Sequence, residues 1–391
     1  METCDENLDT FIRKHTKEND FQWTVLKEMC YQLVDSVAWL HQGNFYYDGR
    51  LHPRNILVKR SKDAKWNVKL KIPEKLNPFN NLDELYTQLW CTIRNPVSPE
   101  TAEEQLNQVV QRDFISIAIL LYFIQSAGYH PFQRSGSNNL EADDERDNYE
   151  AIKIQIESGI FQVEALDKKC FCNAEMECGK KMECKYRLWI NSLAKDHITK
   201  MLNQNEQSYM NQSVEKLKEH PFFWKTTDVL TFIQRSSNYL NEGNNERRKK
   251  FRKRNTDKWK SEKELFESAK NGENKSDYTS IWEFLHQNPF KNKLTLRHFD
   301  GLLKQIRNKV YKGIRQQPII WLLIFFCALQ SCHWNEETEC GRKAKEVLKN
   351  IRFLSFKKID DGQISFCLFW LIHFPTTLLH TWKQLKDEIA S

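Results

Sequence analysis

The sequence predicts a mainly α-helical protein built in two parts, and three observations predict it. Its 391 residues give room for two ordinary domains, each able to bury a core. Leu26, Cys30, Leu33, Val37 and Leu40 recur at helical spacing, the mark of an amphipathic helix early in the chain. Toward the other end, Leu302, Leu303 and Ile306 share one side of a helical pattern whose other side carries Lys304, Arg307 and Lys312. A composition of 40% hydrophobic and 28% charged residues is ordinary for a globular protein and argues against global disorder.

Charge narrows the function classes. The formal charge is +7, and the run Arg247–Arg254 carries seven cations. Removing those seven from the 59 Lys and Arg leaves 52, equal to the Asp and Glu total. The rest of the chain is therefore neutral and implies no diffuse nucleic-acid-binding surface. Three readings of the basic run stay open: a solvated loop, sequence-blind phosphate contact, and a nuclear-import signal. The opening Met1–Asp5 is polar and acidic, without a signal peptide, and the 11 cysteines then point to reduced thiols in cytosol or nucleus. The apolar stretch Pro318–Leu329 falls short of the roughly 18–20 residues a spanning helix needs, so a buried helix is expected and no membrane span.

Taken in order, the elements acquire a second meaning. Asp48–Val58 reads D-G-R-L-H-P-R-N-I-L-V, and Leu51, Pro53, Asn55 and Ile56–Val58 fit the frame H-R-D-L-K-P-x-N plus a short apolar strand. This resembles the catalytic loop of a protein kinase, with the Leu26–Leu40 helix leading into it. Met1–Phe11 resembles the kinase hinge, which implies adenine contacts at Glu2 and Cys4, with Asn55 at the nucleotide from the loop. On that reading the small lobe is missing; a truncated gene reading and a genuine loss both fit. Ser98-Pro99-Glu100 resembles the A-P-E that anchors the activation segment. Asp113, the apolar run Ile115–Ile124 and G-Y-H-P-F at Gly128–Phe132 resemble the central helix of the large lobe. Asp113 is expected to brace the catalytic-loop backbone. Residues Arg134–Asn148 are polar and acidic and are expected to form a surface loop.

The kinase chemistry departs from that frame. Arg50 stands where a carboxylate should accept the substrate hydroxyl proton, and a guanidinium stays protonated at biological pH. Gly49 and Asp48 replace the motif's arginine and histidine. Ile72-Pro73 occupies the place of the metal-binding Asp-Phe-Gly, and no aspartate lies between Asp63 and Asp83, so ATP with magnesium is poorly provided for. Glu74 lacks the local pattern of a substitute. Elsewhere, Cys170, Cys172, Cys178 and Cys184 follow C-x-C-x5-C-x5-C, without paired C-x-x-C knuckles; a zinc site and free thiols both remain open.

After an amphipathic helix at Val214 and Leu217, His220–Trp224 reads H-P-F-F-W. This string, followed by Thr231–Leu240, Asp277–Phe284, Leu302–Asn308, Phe374-Pro375 and Leu378–Trp382, resembles the inositol-requiring kinase/endoribonucleases and ribonuclease L. The resemblance implies a kinase-like large lobe over 1–226 and an all-helical KEN-type ribonuclease module over 227–391. A basic linker at 244–260 and an insertion at 316–341 are expected.

In that family the RNA 2′-hydroxyl attacks the neighbouring phosphate without metal, which needs a base, an acid and groups that hold the charged phosphate. Arg307 and Asn308 match the phosphate-gripping pair. Lys312 stands where the family has its histidine acid, and an ammonium of pKa about 10.4 is a poorer donor than an imidazolium near 6.5. Gly301 replaces an aspartate, with Asp300 next door, and Leu294 falls near the family's tyrosine. His333 could in principle replace the acid, but nothing in the sequence positions it. The resemblance therefore implies a catalytically impaired, regulatory pseudokinase of the cytoplasm, binding RNA, forming a homodimer, or forming a heterodimer with a full-length relative. An active metal-independent endoribonuclease is the alternative, and an ATP-binding protein kinase the weaker one.

Overall fold

The computed structural model describes residues 6–16, 23–63, 65–71, 89–90, 98–133, 145–166, 182–203, 213–242 and 375–389. The chain divides into two compact units, Met1–Phe223 and Trp224–Ser391.

The first unit opens with a three-stranded antiparallel sheet of order β1-β2-β3: β1 Glu6–Asn7, β2 Ile56–Arg60 and β3 Trp66–Leu70. Register pairs Asn7 with Leu57 and Val58 with Val68. The two-residue alternation of a strand puts Ile56 and Val58 inside together with Val68. Helix α1, Leu8–His15, starts where the Asn7 side chain accepts the Thr10 N–H at 2.9 Å. Its buried Leu8, Phe11 and Ile12 follow the i, i+3, i+4 rule.

Helix α2, Trp23–Gln42, contains the expected Leu26–Leu40 pattern; Leu26, Met29, Cys30, Leu33, Val34 and Val37 are all fully buried. Cys30 is a packing group, because burial pushes its thiol up to about 12, partly opposed by the Gln125 amide donating to Sγ at 3.4 Å. The helix closes with Asn44 at φ 60°, the Phe45 N–H reaching Leu40 O at 3.0 Å and the Asn44 N–H reaching His41 O at 3.0 Å. That pair of bonds satisfies carbonyls the last turn would leave bare.

Helix α3, Ala102–Gln125, is the centre of this unit. Its start is fixed reciprocally: Thr101 Oγ1 accepts the Glu104 N–H at 3.1 Å, and Glu104 Oε2 accepts the Thr101 N–H at 3.2 Å. From Asp113 onward every residue is buried, so the helix is apolar all round and packs against α2 and against α5, Met182–Leu202. Between them in sequence comes α4, Glu145–Ser158, with Ile152 and Ile156 buried.

Two H-P-F strings adopt the same local geometry. At His130-Pro131-Phe132 the ring Nδ1 accepts the Phe132 N–H at 3.3 Å, and Nε2 meets Leu89 O at 3.1 Å. At His220-Pro221-Phe222 the ring Nδ1 accepts the Phe222 N–H at 3.1 Å, and Nε2 meets Asp196 Oδ2 at 3.2 Å. In both, an accepting Nδ1 places the proton of the neutral ring on Nε2.

In the second unit, α6, Thr226–Glu242, packs against α7, Pro375–Ile389. Val229, Phe232 and Ile233 are buried on one helix, and Leu378, Trp382 and Leu385 on the other. The segments Thr231–Leu240 and Leu378–Trp382 lie within these helices.

Two expectations are corrected. The surface loop at Arg134–Asn148 ends early, because α4 already begins at Glu145. Acidic Glu145 and Asp147 suit a helix N-terminus, and burial of Ile152 and Ile156 stabilises the turns that follow. The helix expected at Val214 and Leu217 is a 3-10 helix, Val214–Glu219. Pro221 disfavours helical backbone at His220, whose ψ is 138°, and six residues settle into the tighter turn. Residues 134–144 and the stretch Pro318–Leu329 lie outside the described residues. Among the described residues no helix is long and apolar enough to cross a membrane.

The end of α3 is a stability test. Ala127 has φ 63° and Gly128 has φ 103°, both left-handed. Ala127→Gly is expected to raise the unfolding free energy by about 0.5–1 kcal/mol, and Gly128→Ala to lower it by about 1–2 kcal/mol. Urea titration of both variants checks the opposite signs.

Candidate functional site at the Asp48–Asn55 loop

The loop hangs on one buried carboxylate. Asp113 is 0% exposed; its Oδ2 accepts the Tyr47 N–H at 2.9 Å and lies 2.9 Å from His41 Nε2, and its Oδ1 accepts the Gly49 N–H at 3.4 Å. The side chain thus does what was expected of it and ties the loop backbone to α3. Three donors offset the cost of burying the charge.

The turn itself follows from Asp48-Gly49. Arg50 N–H reaches Tyr47 O at 3.1 Å, and the two central residues have φ 49° and 79°. Both being left-handed, the turn favours Asp and Gly. An arginine in place of Gly49 would cost about 1–2 kcal/mol in this conformation. Asp48 pairs with Arg112, a solvent-exposed bridge that adds little stability.

Beyond the turn, Asn55 closes the loop on itself. Its Nδ2 donates to Arg50 O at 3.0 Å and to His52 Nε2 at 2.8 Å. Asn55 O accepts the Lys71 N–H at 3.2 Å, and the Tyr47 hydroxyl donates to Lys71 O. Arg50 Nε reaches Tyr47 O at 3.4 Å. Burial pushes the Tyr47 phenol above its ordinary value, and the Asp113 charge adds to the shift. His52 is held down to about 3 by burial, then by the positive charges of Arg54 and Lys71.

The chemistry open to this loop is limited. Arg50 cannot take a proton, and His52, where the kinase frame carries a lysine, is uncharged at neutral pH. Magnesium needs oxygen ligands, commonly carboxylates. The loop's one carboxylate, Asp48, is paired with Arg112, and Asn55 donates its amide nitrogen to the loop, which leaves its amide oxygen as the one oxygen side-chain ligand there that is not already in an ion pair, too few to hold magnesium. These residues do not fit a metal, and among the described residues no group of three His, Cys, Asp or Glu does.

The structure therefore brings Arg50 and Asn55 together. Glu2, Cys4, Ile72-Pro73, Glu74, Arg307, Asn308 and Lys312 lie outside the described residues, as do Cys170, Cys172 and Cys178; Cys184 falls in α5. Sequence reasoning missed His41, Tyr47 and His52. Only His52 was readable, as the residue in the lysine slot; the others have no signal in spacing, because their partner Asp113 is more than sixty residues away along the chain.

No family model matches the chain. It is similar to two curated proteins of Dictyostelium discoideum, the probable serine/threonine-protein kinases irlC and irlA. Identity is 22% over 233 residues for the first and 20% over 240 for the second. The matches take in 60% and 61% of this chain but only 13% and 14% of those proteins. The chain is thus kinase-like in sequence, at a low level of identity.

Two measurements follow. Asp113→Ala leaves buried amides without an acceptor and is expected to lower the unfolding free energy by about 3 kcal/mol, against less than about 1 for Arg112→Ala. Urea titration separates them. For pH, His52 and His130 both stand near 3 in the folded chain, burial being the main cause in each. Unfolded histidine takes a proton near 6.5, so the unfolded state gains protons first as pH falls. Stability is expected to be full above about pH 6.5 and to fall by about 1.4 kcal/mol per pH unit per histidine below it, down to about pH 3. Replacing His130 with Gln should reduce that slope by one proton in denaturation series between pH 7 and 5.

Proposed function

We propose that this chain is a regulatory pseudokinase of the inositol-requiring kinase/ribonuclease L type, binding RNA, pairing with a relative, or both. The observation that carries the reading is Arg50: a guanidinium sits in a loop that Asp113 and Asn55 hold rigid, at the place where phosphotransfer needs a carboxylate. Similarity to the two Dictyostelium kinases supports the kinase-like part. The order of motifs from His220–Trp224 to Leu378–Trp382 supports the KEN-like part. On this reading residues 1–226 are the kinase-like large lobe and 227–391 the ribonuclease-like module. The chain then works in the cytoplasm as a homodimer or as a heterodimer that dampens a full-length relative.

A second reading keeps RNA cleavage. Arg307 and Asn308 favour it, as a cationic fork beside an amide suited to phosphate, with Lys312 stabilising charge. The two readings separate on a stem-loop RNA incubated with purified chain in chelator. The pseudokinase reading expects no cyclic-phosphate ends, and cutting restored by Lys312→His. Robust cutting by the unaltered chain would overturn it in favour of the nuclease. Phosphate transfer from magnesium-ATP to a generic protein substrate should be undetectable; measurable transfer sinks the pseudokinase part.

A further inference from the structure

We propose that the outer face of α2, from Tyr31 through Asp35 to Trp39, is a docking surface for an arginine-bearing peptide of a partner protein. Docking here does not depend on whether the Asp48–Asn55 loop transfers phosphate.

Tyr31, Asp35 and Trp39 follow one another at i, i+4 spacing, so one side of the helix carries all three, with Cβ atoms about 5–6 Å apart from turn to turn. The core side of α2 is filled by Leu33, Val34 and Val37 and is complete without them. Trp39 is 71% exposed, more than any other large apolar side chain among the described residues. The apolar surface continues past the helix end. The Gly43 N–H reaches Trp39 O at 3.3 Å, and the half-exposed Phe45 ring lies against Gly43, where a Cβ would come within 3.2 Å of it.

Charge says what covers this face. The 3-10 helix Val214–Glu219 packs against α2 and sets Lys218 between two carboxylates, its Nζ 2.6 Å from Asp35 Oδ1 and 2.7 Å from Glu215 Oε1. The same ammonium stands 5.9 Å from the Tyr31 ring centroid. One cation thus serves two carboxylates, and the group keeps one negative charge. The carboxylates are 54% and 50% exposed, which leaves Asp35 Oδ2 and Glu215 Oε2 open to a further donor. The C-terminal end of α2, on the Trp39 side, adds its partial negative charge. Lys27, a turn beyond Tyr31, lies at the other end of the stripe.

A guanidinium answers both features at once. Its fork of N–H donors suits carboxylate oxygens, and its flat face stacks on an aromatic ring, indole best of all. An ammonium meets the carboxylates but stacks less well, and an acidic peptide is repelled. A neighbouring apolar side chain of the same peptide would find Phe45.

The test uses the full chain at constant ionic strength and a fluorescein-labelled peptide, R-L-R-L-R-G, read by anisotropy. Saturable binding is expected, at least about fivefold weaker in Trp39→Ala and in Asp35→Asn. Trp39→Phe should recover part of the loss. The peptide with lysine for arginine should bind more weakly, and with glutamate for arginine not at all. Ile160→Ser, which removes an exposed apolar side chain elsewhere in the unit, should bind as the unaltered chain does. Because Trp39 and Asp35 are exposed, both variants should keep the urea midpoint of the unaltered chain. No saturable binding, full binding by Trp39→Ala, or equal binding of the glutamate peptide would each overturn the proposal. So would a dimer in sedimentation that Trp39→Ala dissolves and the arginine peptide does not displace, which assigns the face to a second copy of the chain.

Discussion

The buried carboxylate of Asp113 ties three parts of the first unit together. It sits on α3, takes the backbone amides of Tyr47 and Gly49, and meets His41 on the last turn of α2. A carboxylate with no exposure is costly unless each lone pair is used, so the site is either fully assembled or strongly unfavourable. That condition fixes where the loop runs. It also explains how the left-handed turn at Asp48 and Gly49 is held.

The histidines show the same economy of means. His130 and His220 each use Nδ1 to hold the amide two residues on, and each offers Nε2 to an acceptor from another segment. Proline between histidine and phenylalanine presets the turn. The next amide on, Gln133 or Phe223, bonds back to the histidine carbonyl at 3.0 and 2.9 Å. Both rings are buried, and His220 stacks on His197 with centroids 4.4 Å apart. Burial depresses His130 to about 3 and His197 in the same direction, with the positive charges near His197 adding to its shift. The His130 turn is thus held by a neutral imidazole.

At the loop, scaffold and chemistry have separated. Asn55 bonds to the Arg50 carbonyl and so keeps the backbone in place whatever side chain residue 50 carries. The side chain it carries removes proton abstraction, and a neutral His52 removes a cation from the lysine slot. Proton abstraction from a hydroxyl needs a base poised near neutral pH, and the Arg50 side chain is not one.

Much of the described part of the first unit was legible from local pattern. Leu26–Leu40 repeats at helical spacing, and Ile56 and Val58 alternate as a strand must, because burial acts on one face of each element. Asp48-Gly49 and the replacement of a carboxylate by Arg50 could likewise be read directly, since they depend on residue type alone. The early start of α4 and the 3-10 turn at Val214–Glu219 were missed although each carries a local signal, acidic residues at 145 and 147 and a proline at 221. Nor could the sequence by itself say that His41, Tyr47 and Gly49 converge on one carboxylate. That convergence depends on α2 and α3 lying side by side, and only the tertiary structure brings residues 41 and 113 within 2.9 Å.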